Sequence, residues 1–437
     1  MKHFGLICPP LPSHVTGMTA IARELVRRGH RATMFNIADA RGLALSEGTE
    51  FVPIGTEDHP EGSLAEFSRA VAQLKGIPAL RFGIRAAEKE ADSLLRDVPA
   101  AMQLHGVTAI IGDQGSPVCS SIAERFGIPF FSVCNAIASN RDASLPPSCA
   151  GWKPGNHPLI RLRNHTANLA VDSAVRPIMR TINRYRRQWG LPELRKLEET
   201  FSPHAQISQQ SEDFDFPNPS RPRHFHYVGL LRRSASDSVP FPFELLDGRP
   251  LLYASLGTVM GSAPGVYRKL AAACEGLPVQ LVITLGGAHE TAEHANLPGN
   301  PMVVRRAPQL AVLRRAALTF CHGGLNTVLE SLSFGVPVLA LPMVTDQFAV
   351  GARLRRSGAG EAITRKQFDS PVLRETISRL LTVPSYRARA AELAISLRRS
   401  GGEKRAADII ERAIEAVGGY SDGSARSIAE TSVVIPA

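Results

Sequence analysis

Short apolar runs uninterrupted by polar residues alternate with helical patterns twice along this chain, and no other feature constrains its fold as much. Residues 4–8 form the first run, followed by a Pro-rich loop and a helical pattern over 17–28 that Gly29-His30 stops. A second run follows at 31–35, and similar units recur at 106–127 and 128–134. The later block reads run 251–256, helix 266–274, runs 279–285 and 302–304, a short helix 309–314, run 317–321, helix 325–333 and run 336–341. A strand without polar alternate positions is buried on both faces, which requires helices on both sides of a parallel sheet. Strand–helix alternation therefore predicts the α/β class, as two Rossmann-like, doubly wound parallel-sheet domains facing one crevice. The expected divisions are 1–229, a polar Pro-containing linker at 230–250, 251–402, a closing helix at 403–417 and a flexible tail at 418–437. A length of 437 residues suits two such domains.

Composition excludes several classes. No run approaches the length that spans a bilayer. The first run breaks at Pro9-Pro10 and has no cleavage site of the secretory kind, so a cytoplasmic protein is expected. Cys8, Cys119, Cys134, Cys149, Cys274 and Cys321 are scattered without a C-x-x-C pair, which argues against disulfides or a zinc framework. The net charge of +10 is concentrated between Arg161 and Arg187, where seven arginines face one acid, Asp172. No nucleic-acid motif accompanies them. Two readings stand: a solvated helix face, or a peripheral contact with anionic lipid on the inner face of the cell membrane.

The richest segment is Cys321-His322-Gly323-Gly324-Leu325-Asn326-Thr327-Val328-Leu329-Glu330, which ends a strand-like run and opens a helix. A helix N-terminus presents unpaired N–H groups and a positive dipole end to a phosphate. Gly323 and Gly324 admit close approach, and His322, Asn326 and Thr327 add donors. Glu330, one turn beyond Asn326, is placed to accept from ribose hydroxyls. The turn Ser255-Leu256-Gly257-Thr258 follows the block's first strand and reaches toward the same phosphates. The plain alternative is a capped helix with Glu330 in solvent; the fixed order of His322, Glu330 and the downstream Asp346-Gln347 favours a nucleotide.

These residues resemble the donor signature of the UDP-glycosyltransferase family, inverting enzymes of the GT-B fold. The matching residues are Pro308-Gln309, His322-Gly323-Gly324-Leu325-Asn326-Thr327, Glu330, Gly335-Val336-Pro337 and Asp346-Gln347. Gly55-Thr56-Glu57-Asp58-His59-Pro60, Phe201-Ser202-Pro203-His204-Ala205-Gln206-Ile207-Ser208-Gln209 and His226-Tyr227-Val228-Gly229 are similar to segments of the bacterial zeaxanthin glucosyltransferases. The resemblance covers nearly the whole chain apart from the tail. It implies that Ser255, His322, Asn326 and Thr327 bind the diphosphate, Glu330 the ribose, Gln309 the base, and Asp346 with Gln347 the sugar. Many members stack a tryptophan on uracil where this chain has Arg306. A guanidinium plane also stacks, so UDP and dTDP both remain open.

Transfer to a hydroxyl needs a base active near neutral pH. His14, in the loop after the first strand, is the candidate, with Asp113, at the end of another strand-like run, to orient it. The family's His–Asp dyad falls on these two positions. His14 could otherwise cap a helix, and so could Asp113. No cofactor and no metal are expected. The string Asp213-Phe214-Asp215 has the D-x-D form of metal-binding transferases but lies beside a polar run and Pro217, and reads as a solvated loop. The expected activity is glucosyl transfer from a nucleotide sugar to a lipophilic hydroxylated acceptor such as a carotenoid. A small aglycone, a polyketide or macrolide for example, is the alternative acceptor. A catalytically silent homologue acting as a partner protein and an epimerase on the same fold are alternatives of other kinds.

Overall fold

A computed structural model of the protein describes residues 1–74, 76–232, 239–257, 264–287, 294, 296–368 and 370–421. Seven parallel strands form the first sheet: β1 (His3–Ile7), β2 (Arg31–Asn36), β3 (Glu50–Pro53), β4 (Ala109–Asp113), β5 (Phe130–Cys134), β6 (Gln206–Ser208) and β7 (Phe225–Tyr227). Their spatial order is β3-β2-β1-β4-β5-β6-β7. The second sheet, in the order β10-β9-β8-β11-β12-β13, contains β8 (Leu251–Ser255), β9 (Gln280–Thr284), β10 (Met302–Val304), β11 (Ala316–Cys321), β12 (Val338–Ala340) and β13 (Gly360–Ala362). Strand order reverses between β1 and β4, and again between β8 and β11. Open α/β sheets leave a crevice at such a switch point, outside the strands' carboxyl ends. The doubly wound α/β expectation holds in both halves.

The helices of the first half are α1 (Pro12–Arg27), α2 (Arg41–Ser46), α3 (Ser63–Gln73), α4 (Gly76–His105), α5 (Cys119–Phe126) and α6 (Pro158–Gln188). Those of the second are α7 (Pro264–Cys274), α8 (Gln309–Leu313), α9 (Leu325–Ser333), α10 (Gln347–Ser357), α11 (Ser370–Thr382), α12 (Pro384–Arg399) and α13 (Gly402–Ser421). The first helix begins five residues before the expected Gly17. Pro12 sits in its first turn, where a proline's missing N–H costs nothing. His14 is therefore a residue of a helical first turn, not of a loop. Helix α13 extends past the expected closing helix and packs on the first sheet. Its Ala406, Ala407, Ile409, Ile410 and Ile414 share a core with Phe4, Leu6, Val15, Met18 and Ile21. Each isoleucine so buried contributes about 1.5–3 kcal/mol. Leu230 and Leu231, at the start of the expected linker, are buried, and residues 233–238 lie outside the described residues.

The Asp213–Asp215 string is solvated only at Asp213, which is exposed. Phe214 and Asp215 are buried at 0% and 1% exposure, and Phe214 shares a core with Leu325, Val328 and Leu329 of α9. Arg221 pairs with the Asp215 carboxylate, Tyr227 donates its hydroxyl to it at 2.9 Å, and Arg353 of α10 donates Nε at 2.6 Å. These partners lie up to 138 residues away in the chain, so local polarity could not reveal the burial.

Candidate active site

The carboxyl edge of the first sheet carries one side of the candidate site. His14 follows β1 and Asp113 closes β4, and Nδ1 of His14 lies 2.8 Å from Oδ2 of Asp113. Asp113 is 2% exposed and is held by the Gly115 N–H at 2.6 Å and by Nδ2 of Asn135 at 2.6 Å. Because a carboxylate only accepts, Nδ1 carries the hydrogen and Nε2 is left as the basic nitrogen. Burial depresses the basicity of the His14 ring. The charge and hydrogen bond of Asp113, helped by Asp346 and Glu90, more than offset this, and its pKa lies above 6.5. Glu90 of α4 is pushed up to about 8 by burial, against the pull of His14.

The second sheet carries the other side, a helix start whose chemistry suits an anion. Helix α9 starts at Leu325 behind Gly324, with no side-chain cap and no acid in its first turn. Its leading N–H groups are therefore open to a phosphate. The His322 ring lies between two glycines: a methyl on Gly257 would approach it to 2.8 Å, and one on Gly324 to 2.5 Å. Burial lowers its pKa to about 4, so it is a neutral ring at working pH. Ser255 is buried and accepts the Gly257 N–H at 3.3 Å. Thr327 is buried in the first turn of α9. Thr258 lies outside the described residues.

Gln309, at the start of α8, donates Nε2 to Glu330 of α9 and accepts the Tyr253 hydroxyl at 3.0 Å, so the two residues expected at base and ribose form one unit. Arg306 is exposed beside Gly287, where an added methyl would lie 3.1 Å from its Nε. Asp346 precedes α10, and burial raises its pKa while His14 opposes that. Oε1 of Gln347 receives the N–H groups of Met343 and Val344 at 2.9 and 3.1 Å, which shapes the loop carrying Asp346. A recess of about 690 Å³, lined by Glu212, Arg221, Tyr227, Arg399 and Arg405 among others, opens elsewhere on the domain seam and contains none of these residues.

Residues 156–399 match the family model described as UDP-glucoronosyl and UDP-glucosyl transferase. Zeaxanthin glucosyltransferase of Pantoea ananas is 34% identical over 415 residues, which is 94% of this chain and 96% of that protein. The chain belongs to this family. Another relative of this glycosyltransferase, 4'-demethylrebeccamycin synthase of Lentzea aerocolonigenes, is 27% identical over 92% of this chain and 97% of that protein. Among solved structures, the glycotransferase of kitacinnamycin aligns with a TM-score of 0.73 at 22% identity, covering 94% of this chain and 99% of that one. The fold of the glycosyltransferase is GT-B.

The basic stretch of the glycosyltransferase is more constrained than either reading of its sequence. Arg186 is buried between Glu124, Ser121 and the Pro192 carbonyl. Arg184 pairs with Asp92 and Arg187 with Glu193, while Arg163 stacks on Trp152 at 4.8 Å. Arg161, Arg176 and Arg180 are exposed. Among the described residues no helix is long and apolar enough to cross a membrane.

Several residues that support the site went unread in the sequence. Asn135 directly follows β5 as Asp113 closes β4, a polar residue after an apolar run at the carboxyl edge, and that shared signal could have singled it out. Gly17 leaves room for it: a methyl there would lie 1.8 Å from Asn135 Oδ1. Glu90 interrupts the apolar stripe of α4 formed by Ala91, Leu94, Leu95 and Val98.

Proposed function

We propose that this glycosyltransferase moves glucose from UDP-glucose to a hydroxyl of a carotenoid diol of the zeaxanthin type, with inversion and without a metal. The observation that carries the reading is the 2.8 Å His14–Asp113 pair on one domain, with the uncapped start of α9 as its counterpart on the other. The acceptor identity draws on the likeness to zeaxanthin glucosyltransferase. His14 Nε2 takes the acceptor's hydroxyl proton while the acceptor oxygen bonds to the anomeric carbon. The bond from that carbon to the diphosphate oxygen breaks, and the released charge settles on the N–H groups of α9 and the neutral His322. An α-linked donor then gives a β-glucoside. Gln309 and Glu330 hold the nucleoside, Arg306 stacks on its base, and Asp346 with Gln347 bind the sugar hydroxyls.

A diol of this kind stays in the bilayer, so the enzyme must meet it there. Leu162, Leu169, Arg176 and Arg180 are spaced seven, seven and four residues apart on α6 and share one exposed face, with Leu159 near its start. Such a face suits an anionic membrane surface, where each arginine contributes about 1 kcal/mol. Transfer from UDP-glucose and from dTDP-glucose to zeaxanthin in anionic liposomes, with sedimentation at low and high salt, tests the reading. Glucosylation of water-soluble aglycones with zeaxanthin inert would move the acceptor to the small-aglycone class. No glycoside from any donor would leave a silent partner protein.

A further inference from the structure

Gln209 follows β6 and is fully buried, where the two domains meet. Its Nε2 donates to the Asn135 carbonyl at 2.5 Å and to Oδ1 of Asn326 at 2.7 Å. Asn326, in the first turn of α9, donates its own Nδ2 to the Ser13 carbonyl at 3.1 Å. Asn135 holds the Asp113 carboxylate, and Asp113 holds His14, the residue next to Ser13. The bonds therefore close a circuit from His14 through Asp113, Asn135, Gln209 and Asn326 back to Ser13. Its polarity is set at both ends, because the carbonyls of Asn135 and Ser13 accept only. The two amides between them then have one consistent orientation.

Packing does not account for Gln209. Its Oε1 is buried without a hydrogen-bond partner, an unfavourable state that an apolar side chain of the same length would avoid. What the amide supplies is two donors to two domains at once. Asn135 answers to the acid of the dyad, and Asn326 to the helix end that receives the diphosphate. Both polar atoms of the Asn326 side chain are engaged by the first domain, so a diphosphate at α9 bears on the same residue that steadies the helix turn carrying His14.

We propose that Gln209 is a positioning residue that couples occupancy of the diphosphate site to the alignment of the His14–Asp113 pair. The inference rests on His14 being the base and α9 the diphosphate receptor. Its logic is that of linkage: UDP alters the dyad only through groups whose contacts differ between the free and bound states.

The test follows the downfield proton resonance of His14 Nδ1–H as UDP alone is added, with UDP affinity and kcat measured beside it. In the wild-type protein UDP is expected to shift that resonance. In Gln209→Met, read at UDP concentrations that saturate the variant, the UDP-induced shift is expected to vanish and kcat to fall about tenfold to hundredfold, the scale of a misplaced reacting group. Asn326→Ser, likewise read at saturating UDP so that weakened binding is not mistaken for lost coupling, opens the circuit from the other domain and is expected to remove the same shift, which keeps the test valid if Gln209→Met does not fold. An undiminished UDP-induced shift in either folded variant overturns the coupling, as does wild-type kcat in Gln209→Met. A wild-type protein that binds no UDP or forms no glycoside would instead overturn the functional reading.

Discussion

Arg353 and Asp215 are 138 residues apart in the chain and belong to different domains, yet Nε of Arg353 donates to Oδ1 of Asp215 at 2.6 Å. The Arg353 guanidinium also lies 4.4 Å from the centre of the Phe216 ring, and Arg356 donates to the Asp215 carbonyl at 3.0 Å. One buried carboxylate thus fastens α10 of the second domain to the end of the first.

Removing that carboxylate leaves Arg353 and Arg221 buried without their acid. Asp215→Ala is expected to lower unfolding stability by about 3–5 kcal/mol, read from urea denaturation. Burial raises the Asp215 pKa, but Arg353 and Arg221 outweigh it and hold the folded value below the ordinary carboxylate range. A carboxylate depressed on folding contributes stability above its unfolded pKa, and that contribution is lost as pH falls through the folded value. Between about pH 4 and the folded pKa, wild-type stability should therefore fall more steeply than that of Asp215→Asn. Parallel curves would contradict the assignment.

For His14→Ala, glucosyl transfer is expected to drop by ~10²–10⁴-fold while calorimetry finds UDP affinity unchanged. Near wild-type turnover in this variant would remove His14 from the chemistry.

The pH profile carries a separate signature. The base must be neutral, and the folded pKa of His14 lies above 6.5, so kcat/KM is expected to decline with acidification at a midpoint above 6.5. Asp113→Asn removes the negative charge that sustains this elevation. Its midpoint is expected to move to lower pH and its plateau to fall. A midpoint that stays in place would mean another group sets the limb.

Gly324→Ala places a methyl 2.5 Å from Nε2 of His322. UDP affinity is expected to fall about tenfold or more, the 1.4 kcal/mol scale of one lost interaction, with the melting temperature nearly unchanged. An equal loss of fold and affinity would show that the glycine serves packing alone.

Transfer is expected to survive EDTA. A strict demand for manganese or magnesium would contradict the metal-independent route, and Asp215, already held by arginines, could not supply the ligand pair.

The sheets were legible because their strands are buried on both faces, and a run such as residues 251–256 announces this locally. His14, Asp113 and His322 were legible for a related reason: each terminates or follows such a run, where a polar residue is conspicuous. Helix α4 was not, since its 30 residues mix charge and apolar side chains without a strong start signal. Asp215 and Gln209 were hidden more deeply. Both lie in polar sequence that reads as surface, and partners distant in the chain, among them Arg353 and Asn326 of the other domain, hold them in the interior.

The return of α13 to the first sheet sets the order in which this protein can be made. Its isoleucines come late in synthesis, yet they fill the core around Phe4 and Met18, among the first residues made. On the ribosome the second domain has its whole sheet before the first can close, so the half that emerges first is finished last. A nascent chain arrested near residue 400 would hold the whole second sheet beside a first domain with an open flank, and a first half cut at the linker would carry the same open flank.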